Sequence, residues 1–346
     1  MMKKILGFLF TILTFSSVLA QDSWNKEPYQ VQTFAGSIDH LEVRTSGGNI
    51  VVEGSQRNDI KVEVFIRGNE SKKVLSNAEI KKILEDNYEI KMVQEGNHLL
   101  LSAKNRKQNS WKNGLSVSFT VFVPETIATN LTTSGGNIVM TGLNGKQEFT
   151  TSGGNLQLNR LKGKINGVTS GGNIQVTDAS DDIDLATSGG SIKAENCNGK
   201  MELTTSGGNL ELSGLNGNVT ATTSGGNVDG NNIRGSLNAG TSGGNVNLLA
   251  LYCDIKAATS GGNITVQVKE PGKYITLGNS SGGRTELQIP GNKGYNLDIR
   301  GDKISTSALS NFNGKAEENS LEGTLNGGGT AVKVKSNGGR INLVLQ

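Results

Sequence analysis

The sequence predicts an all-β protein: a single-stranded parallel β-helix of 18-residue coils, wound to the right, with an N-terminal α+β cap. Three observations predict it. First, Ser-Gly-Gly recurs with its Ser at 134, 152, 170, 188, 206, 224, 242 and 260, every interval being 18 residues. An insertion would break the stacking of neighbouring coils, so such regularity marks one structural rung per repeat. Second, counting from that Ser as zero, apolar residues fall at positions four and six and again at thirteen and fifteen, as in Ile174/Val176 and Ile183/Leu185. That alternation is the signature of half-buried strands. Third, the 48 Gly among 346 residues follow no Gly-X-Y period and have apolar residues regularly placed between them, which excludes collagen and argues against disorder.

The chain opens MMKKILGFLFTILTFSSVLAQ. Lys3 and Lys4 form a basic n-region, Ile5 to Phe15 an apolar core, and Val18-Leu19-Ala20 a small-residue cleavage site. Residues 1–20 therefore read as a secretory signal peptide. The apolar run is short for a membrane anchor, the competing reading, so no stable span is expected after cleavage. Residues 21–130 form the cap. Strands are expected within 31–66, around an early RTSGGNI copy, then at 88–103 and 115–123. Between them Ser76-Asn77-Ala78-Glu79 fits a capping box, and Ile80, Ile83, Leu84 and Tyr88 keep helical spacing, which places a helix at about 76–86.

Residues 131–280 hold the regular coils. Each coil is strand, Ser-Gly-Gly corner, strand and a second corner often reading LNG or LKG. Seven intervals rise roughly 34 Å at one β-spacing per coil. Left-handed hexapeptide helices also use 18-residue coils but want an aliphatic at every sixth position. Position three is Asn in all repeats but one (Ser191), so a flattened right-handed coil fits better, in line with the general preference of parallel crossovers. Residues 281–346 break the period and read as irregular coils and a C-terminal cap. Cys197 and Cys253 lie three coils apart, about 14 Å along the axis, which predicts two free thiols.

The chemistry is sparse. The glycine corners are followed by strand and never by Lys, unlike phosphate loops. Their expected role is conformational: adjacent glycines accept the φ values of a tight corner and allow close stacking. The flanking Thr, Ser and Asn are expected to form polar ladders between rungs. Calcium-binding repeats need an Asp that this corner lacks. One coil carries Asp178, Asp181, Asp182 and Asp184 around the second corner, a candidate acid/base patch for polysaccharide cleavage or a solvated acidic turn. The only two histidines, His40 and His98, lie outside the regular array. No cofactor and no metal are expected. Without Lys3 and Lys4 the chain has 32 basic and 31 acidic residues, and residues 131–270 have 9 against 11. Nucleic-acid binding lacks its basic footprint.

The run VSFTVFVPETIATNLTTSGGNI at 117–138, the TSGGNI/L/V repeats, and LNGGGTAVKVKSNGGRINL near the C-terminus resemble a bacterial putative-adhesin family of β-strand-repeat proteins, a domain of unknown function. The resemblance covers most of the mature chain. It implies an exported β-helix with an adhesive or envelope role and carries no catalytic residues to transfer. The expected function is thus an exported, non-enzymatic interaction scaffold whose partner is a surface polymer or an envelope protein. The alternatives are a polysaccharide-active enzyme using the Asp patch and an envelope sensor or assembly partner acting through the cap.

Overall fold

The computed structural model describes residues 27–69, 75–106, 114–280 and 282–346. The expected signal peptide lies outside them. The described chain is all-β, with thirty strands linked by hydrogen bonds and one helix.

Each regular coil supplies a four-residue strand after the Ser-Gly-Gly corner and a longer one after the second corner, for example Ile174–Thr177 and Ser180–Thr187. Short strands pair in parallel only with short ones, Ile174 facing Ile192 and Ile192 facing Leu210. Long strands do the same, Ile183 facing Met201 and Met201 facing Val219. Every partner is thus the residue one repeat away. The two ladders join through Val246–Thr259, which continues round the second corner and pairs in both.

The alternation in the sequence sets the core. Positions four, six, nine, thirteen and fifteen are buried in each coil from Ser134 to Ser242. Where a coil lacks bulk, a neighbour supplies it. The Phe149 ring lies over Gly167, whose notional Cβ would sit 2.0 Å from Cε2, and Leu248 covers Gly230. Gln147 takes an inward position where later coils have aliphatics. It is fully buried, and its amide donates to the Ile127 carbonyl (2.8 Å) and accepts from Thr129 Oγ1 (2.6 Å).

The second corner carries the unusual backbone. Position eight is left-handed in Gly142, Arg160, Asp178, Asn196, Gly214, Asn232 and Ala250, with φ between 51° and 69°. Position eleven has positive φ in Gly163, Asp181, Gly199, Gly217 and Gly235, among others. Neither glycine of any regular Ser-Gly-Gly corner has positive φ, so the conformational demand expected at that corner falls on the other one.

The early RTSGGNI copy is a true rung. His40–Thr45 pairs in parallel with Ala128–Thr132, and Ile50–Ser55 with Ile138–Thr141, so Asn49 and Asn137 stack although 88 residues separate them. Beyond this rung the chain closes the end with antiparallel pairs. Asp59–Gly68 lies on Leu115–Pro124, Gln30–Ala35 on Asp59–Gly68, and Tyr88–Glu95 on His98–Asn105. The helix Asn77–Asn87 begins at Ser76 with the expected capping box and buries Ile80 and Leu84. Its successor Tyr88 bonds through its hydroxyl to the Leu115 N–H and carbonyl. Residues 88–103, expected as strand, are a hairpin turning at Gly96.

At the other end the last strands of the chain are inserted. Thr330–Ser336 lies between Tyr274–Asn279 and Tyr295–Arg300, and Arg340–Leu345 beside Thr285–Ile289. An antiparallel hairpin of Phe312–Ala316 and Ser320–Leu325 covers this end. Cys197 and Cys253 are free and buried, as their coil spacing requires. Desolvation pushes the Cys253 thiol up to about 12 and raises that of Cys197.

Candidate functional site

The repeated corner divides into residues that hold the stack and residues that do not. The Thr before each Ser is buried. Its hydroxyl donates to the carbonyl of the second Gly one rung back and accepts from the N–H of the second Gly in its own rung. Thr187 shows both, at 2.8 Å to Gly172 O and 3.3 Å from Gly190 N. This pin recurs from Thr133 to Thr259.

The second Gly is required by the same close approach. A Cβ at Gly136, Gly154, Gly172, Gly190, Gly208, Gly226, Gly244 or Gly262 would lie 1.8–2.1 Å from the carbonyl oxygen of the preceding rung. Asn at position three completes the stack, because its side-chain oxygen accepts the backbone N–H of the next rung. The N–H groups of Asn155, Asn173, Ser191, Asn227, Asn245 and Asn263 each donate to the Asn Oδ1 of the rung before, at 2.8–2.9 Å. Ser191, the one exception to Asn, does so through its hydroxyl at 3.1 Å.

The first Gly and the Ser behave differently. A Cβ on the first Gly would meet nothing closer than 3.3 Å in any regular coil. All eight Ser and all eight first Gly are exposed. Among the described residues no Ser of the row uses its hydroxyl in a hydrogen bond; the rungs join there through backbone bonds such as Ser152 N to Ser134 O (3.0 Å). The expected Ser ladder is therefore absent from the stacking bonds. Repetition has instead produced a row of free hydroxyls, one per rung, beside the free amino groups of the Asn row.

The acidic residues occupy two places. Asp178 and Asp181 are on the second corner, both at positive φ. Asp182 and Asp184 are on the outward face of Ser180–Thr187. Asp182 lies between Lys164 and Lys200 in register and 4.0 Å from the Lys200 ammonium. Asp184 sits between Asn166 and Glu202.

Pairing across 58 residues brings together two side chains that the sequence left apart. His40 and His98 are register partners with ring centroids 4.8 Å apart, and His98 Nε2 is 3.6 Å from Glu42 Oε2. Glu42 also contacts Arg44. Among the described residues no group of three or more His, Cys, Asp or Glu side chains is arranged to hold a metal ion.

No protein-family model matches the chain, and no curated protein matches it. Among solved structures it is similar to a putative lipid-binding protein from Parabacteroides distasonis, at 16% identity and a TM-score of 0.40, covering 76% of this chain and 98% of that one. A putative adhesin from Bacteroides fragilis gives 15% identity and a TM-score of 0.36, covering 75% and 97%. A putative cell adhesion protein from Clostridium sporogenes gives 12% and 0.18, covering 92% and 100%. Likenesses at this level assign neither substrate nor partner.

Proposed function

We propose that the chain is an exported, non-enzymatic β-solenoid that acts as an adhesin-like or cell-envelope interaction scaffold. In this reading residues 1–20 are removed on export, and 21–130 and 281–346 close the two ends of a right-handed, single-stranded parallel β-helix spanning 131–280. Pairing of each strand with its counterpart one repeat away supports the helix, and the crossover preference supports its hand.

One observation carries the functional part: the Ser hydroxyl row is exposed on all eight regular rungs while taking no part in the bonds that stack them. The side-chain bonds between corners come from Thr and Asn, and the Ser contributes only its backbone. A row repeated at about 4.8 Å presents the same donor and acceptor to any polymer laid along the axis, so weak contacts multiply. Each hydroxyl contact is worth about 0.5–1.5 kcal/mol, and several in register make a useful affinity.

The test is fractionation of producing cells combined with protease treatment of the intact cells. Release of the chain by external protease is expected. Recovery in the cytoplasm, or full protection outside it, overturns the surface role. Turnover of a glycan abolished in Asp182→Asn/Asp184→Asn would replace this reading with an enzymatic one.

A further inference from the structure

The geometry points to a binding site for a carboxylate-bearing linear polysaccharide on the long-strand face near the C-terminal end, built by Lys256, Lys333 and Lys335. It rests on the scaffold reading above and gives the polymer a chemical class. The three lysines are exposed and face outward from two strands, Val246–Thr259 and Thr330–Ser336, that have Tyr274–Asn279 between them. Lys256 is in register with Thr276, and Thr276 with Lys333; Ala258 is in register with Gly278, and Gly278 with Lys335. Lys256 and Lys333 are thus two rungs apart, about 10 Å, and Lys335 lies about 7 Å further along the strand.

Three lysines of earlier coils have a carboxylate at hand. Lys146 reaches Glu148 at 2.9 Å, Lys193 reaches Glu195 at 3.0 Å, and Lys200 lies 4.0 Å from Asp182. Among the described residues Lys256, Lys333 and Lys335 form no ion pair. Asp298 is in register with Lys333, but it binds Arg300 Nε at 2.9 Å, and Glu322 approaches the same guanidinium at 3.6 Å. Both carboxylates are drawn to Arg300, and Asp254, two residues before Lys256, accepts the Lys273 N–H; among the described residues none of the three forms an ion pair with these ammonium groups. Three like charges this close repel one another, and an anion lying between them removes the repulsion.

The ground between the lysines suits a sugar chain better than other polyanions. Ala258 and Gly278 leave it low, and the hydroxyls of Thr276, Ser260 and Ser280 border it. A nucleic acid would want free aromatic platforms and a wider basic footprint, whereas Tyr252 on this face is covered by the Arg234 guanidinium, 4.1 Å from its ring centroid, and Tyr274 stands alone on its strand. An anionic membrane would want exposed apolar residues beside the charge.

The experiment measures retention of the mature chain on polygalacturonate, on the neutral glucan pullulan and on duplex DNA, over a range of salt. Wild type is expected to bind polygalacturonate with an affinity that falls as salt rises, and not to bind pullulan. Lys256→Gln/Lys333→Gln/Lys335→Gln should weaken binding by about tenfold or more, from three exposed charge contacts. The corresponding triple Arg variant should keep it, and Lys162→Gln/Lys164→Gln should change it less than twofold. Equal binding by the triple Gln variant, no binding of polygalacturonate at low salt, or tighter binding to DNA than to polygalacturonate overturns the assignment. In those cases a chain still released from intact cells by protease leaves the scaffold reading in place.

Discussion

Replacing Gly190 by Ala should unfold the stack locally, whereas the same change at its neighbour Gly189 should be nearly silent. The Gly190 Cβ would sit 2.0 Å from the Gly172 carbonyl oxygen, 2.5 Å from its carbon and 2.8 Å from Asn173 N. All three are backbone atoms that cannot swing aside. The closest is about 1.4 Å short of ordinary contact at 3.4 Å, a large fraction of a rung spacing of about 4.8 Å. Opening the rung also stretches the bonds of Thr187 to Gly172 O and Thr205 to Gly190 O, at 2.8 and 2.7 Å. Overpacking of about 1–3 kcal/mol, with about 1 kcal/mol for each of two lost bonds, gives about 3–5 kcal/mol. At Gly189 the nearest atom to a Cβ is Ser170 O at 3.6 Å and φ is not positive, so Ala should stay within about 1 kcal/mol of wild type. Urea unfolding followed by circular dichroism reads both. Equal losses at the two positions, or none at Gly190, would refute the division of the corner into stacking and free residues.

Three further outcomes follow from neighbouring geometry. Thr205→Val leaves the Gly190 carbonyl and the Gly208 N–H without their buried partner, so unfolding experiments should show a loss of about 2–4 kcal/mol, with Thr205→Ser recovering most of it. Asp181 holds φ 88° where other coils have Gly, and Asp181→Gly should raise the unfolding midpoint by the equivalent of about 1 kcal/mol. The Cys253 thiol is raised from 9.0 to about 12 by burial, so above pH about 9 the unfolded chain loses this proton and the native one keeps it. Stability should therefore fall between pH about 9 and about 12, and less steeply in Cys253→Ala, as alkaline unfolding curves would show.

Much of the strand pattern was legible because an 18-residue period repeats the same decision along the chain. Ile, Leu and Val at position four and the helix start at Ser76 needed only local pattern. The Thr pin was not legible. In TTSGGN a buried Thr looks like one more polar corner residue, and only the carbonyl of the next rung explains its burial. The glycines misled for the opposite reason, since a Gly-Gly pair signals special φ, yet here the second is fixed by a neighbour's carbonyl and the special φ sits at Arg160, Asp178 and Asn196. Pairing of His40 with His98, and of Ile50 with Ile138, depends on chain returning after long excursions, which no local period records. The Lys256, Lys333 and Lys335 cluster is hidden likewise, because the last strand pair is inserted out of sequence order.

The most direct test replaces Ser170, Ser188, Ser206 and Ser224 by Ala, singly and together, and measures both unfolding and adhesion of the chain to intact producing cells. Unfolding midpoints should stay within the equivalent of about 0.5 kcal/mol for each exposed change, while adhesion falls stepwise with each hydroxyl removed. Loss of stability with adhesion unchanged would contradict the account, because it would make the Ser hydroxyls part of the stack and not the proposed contact surface.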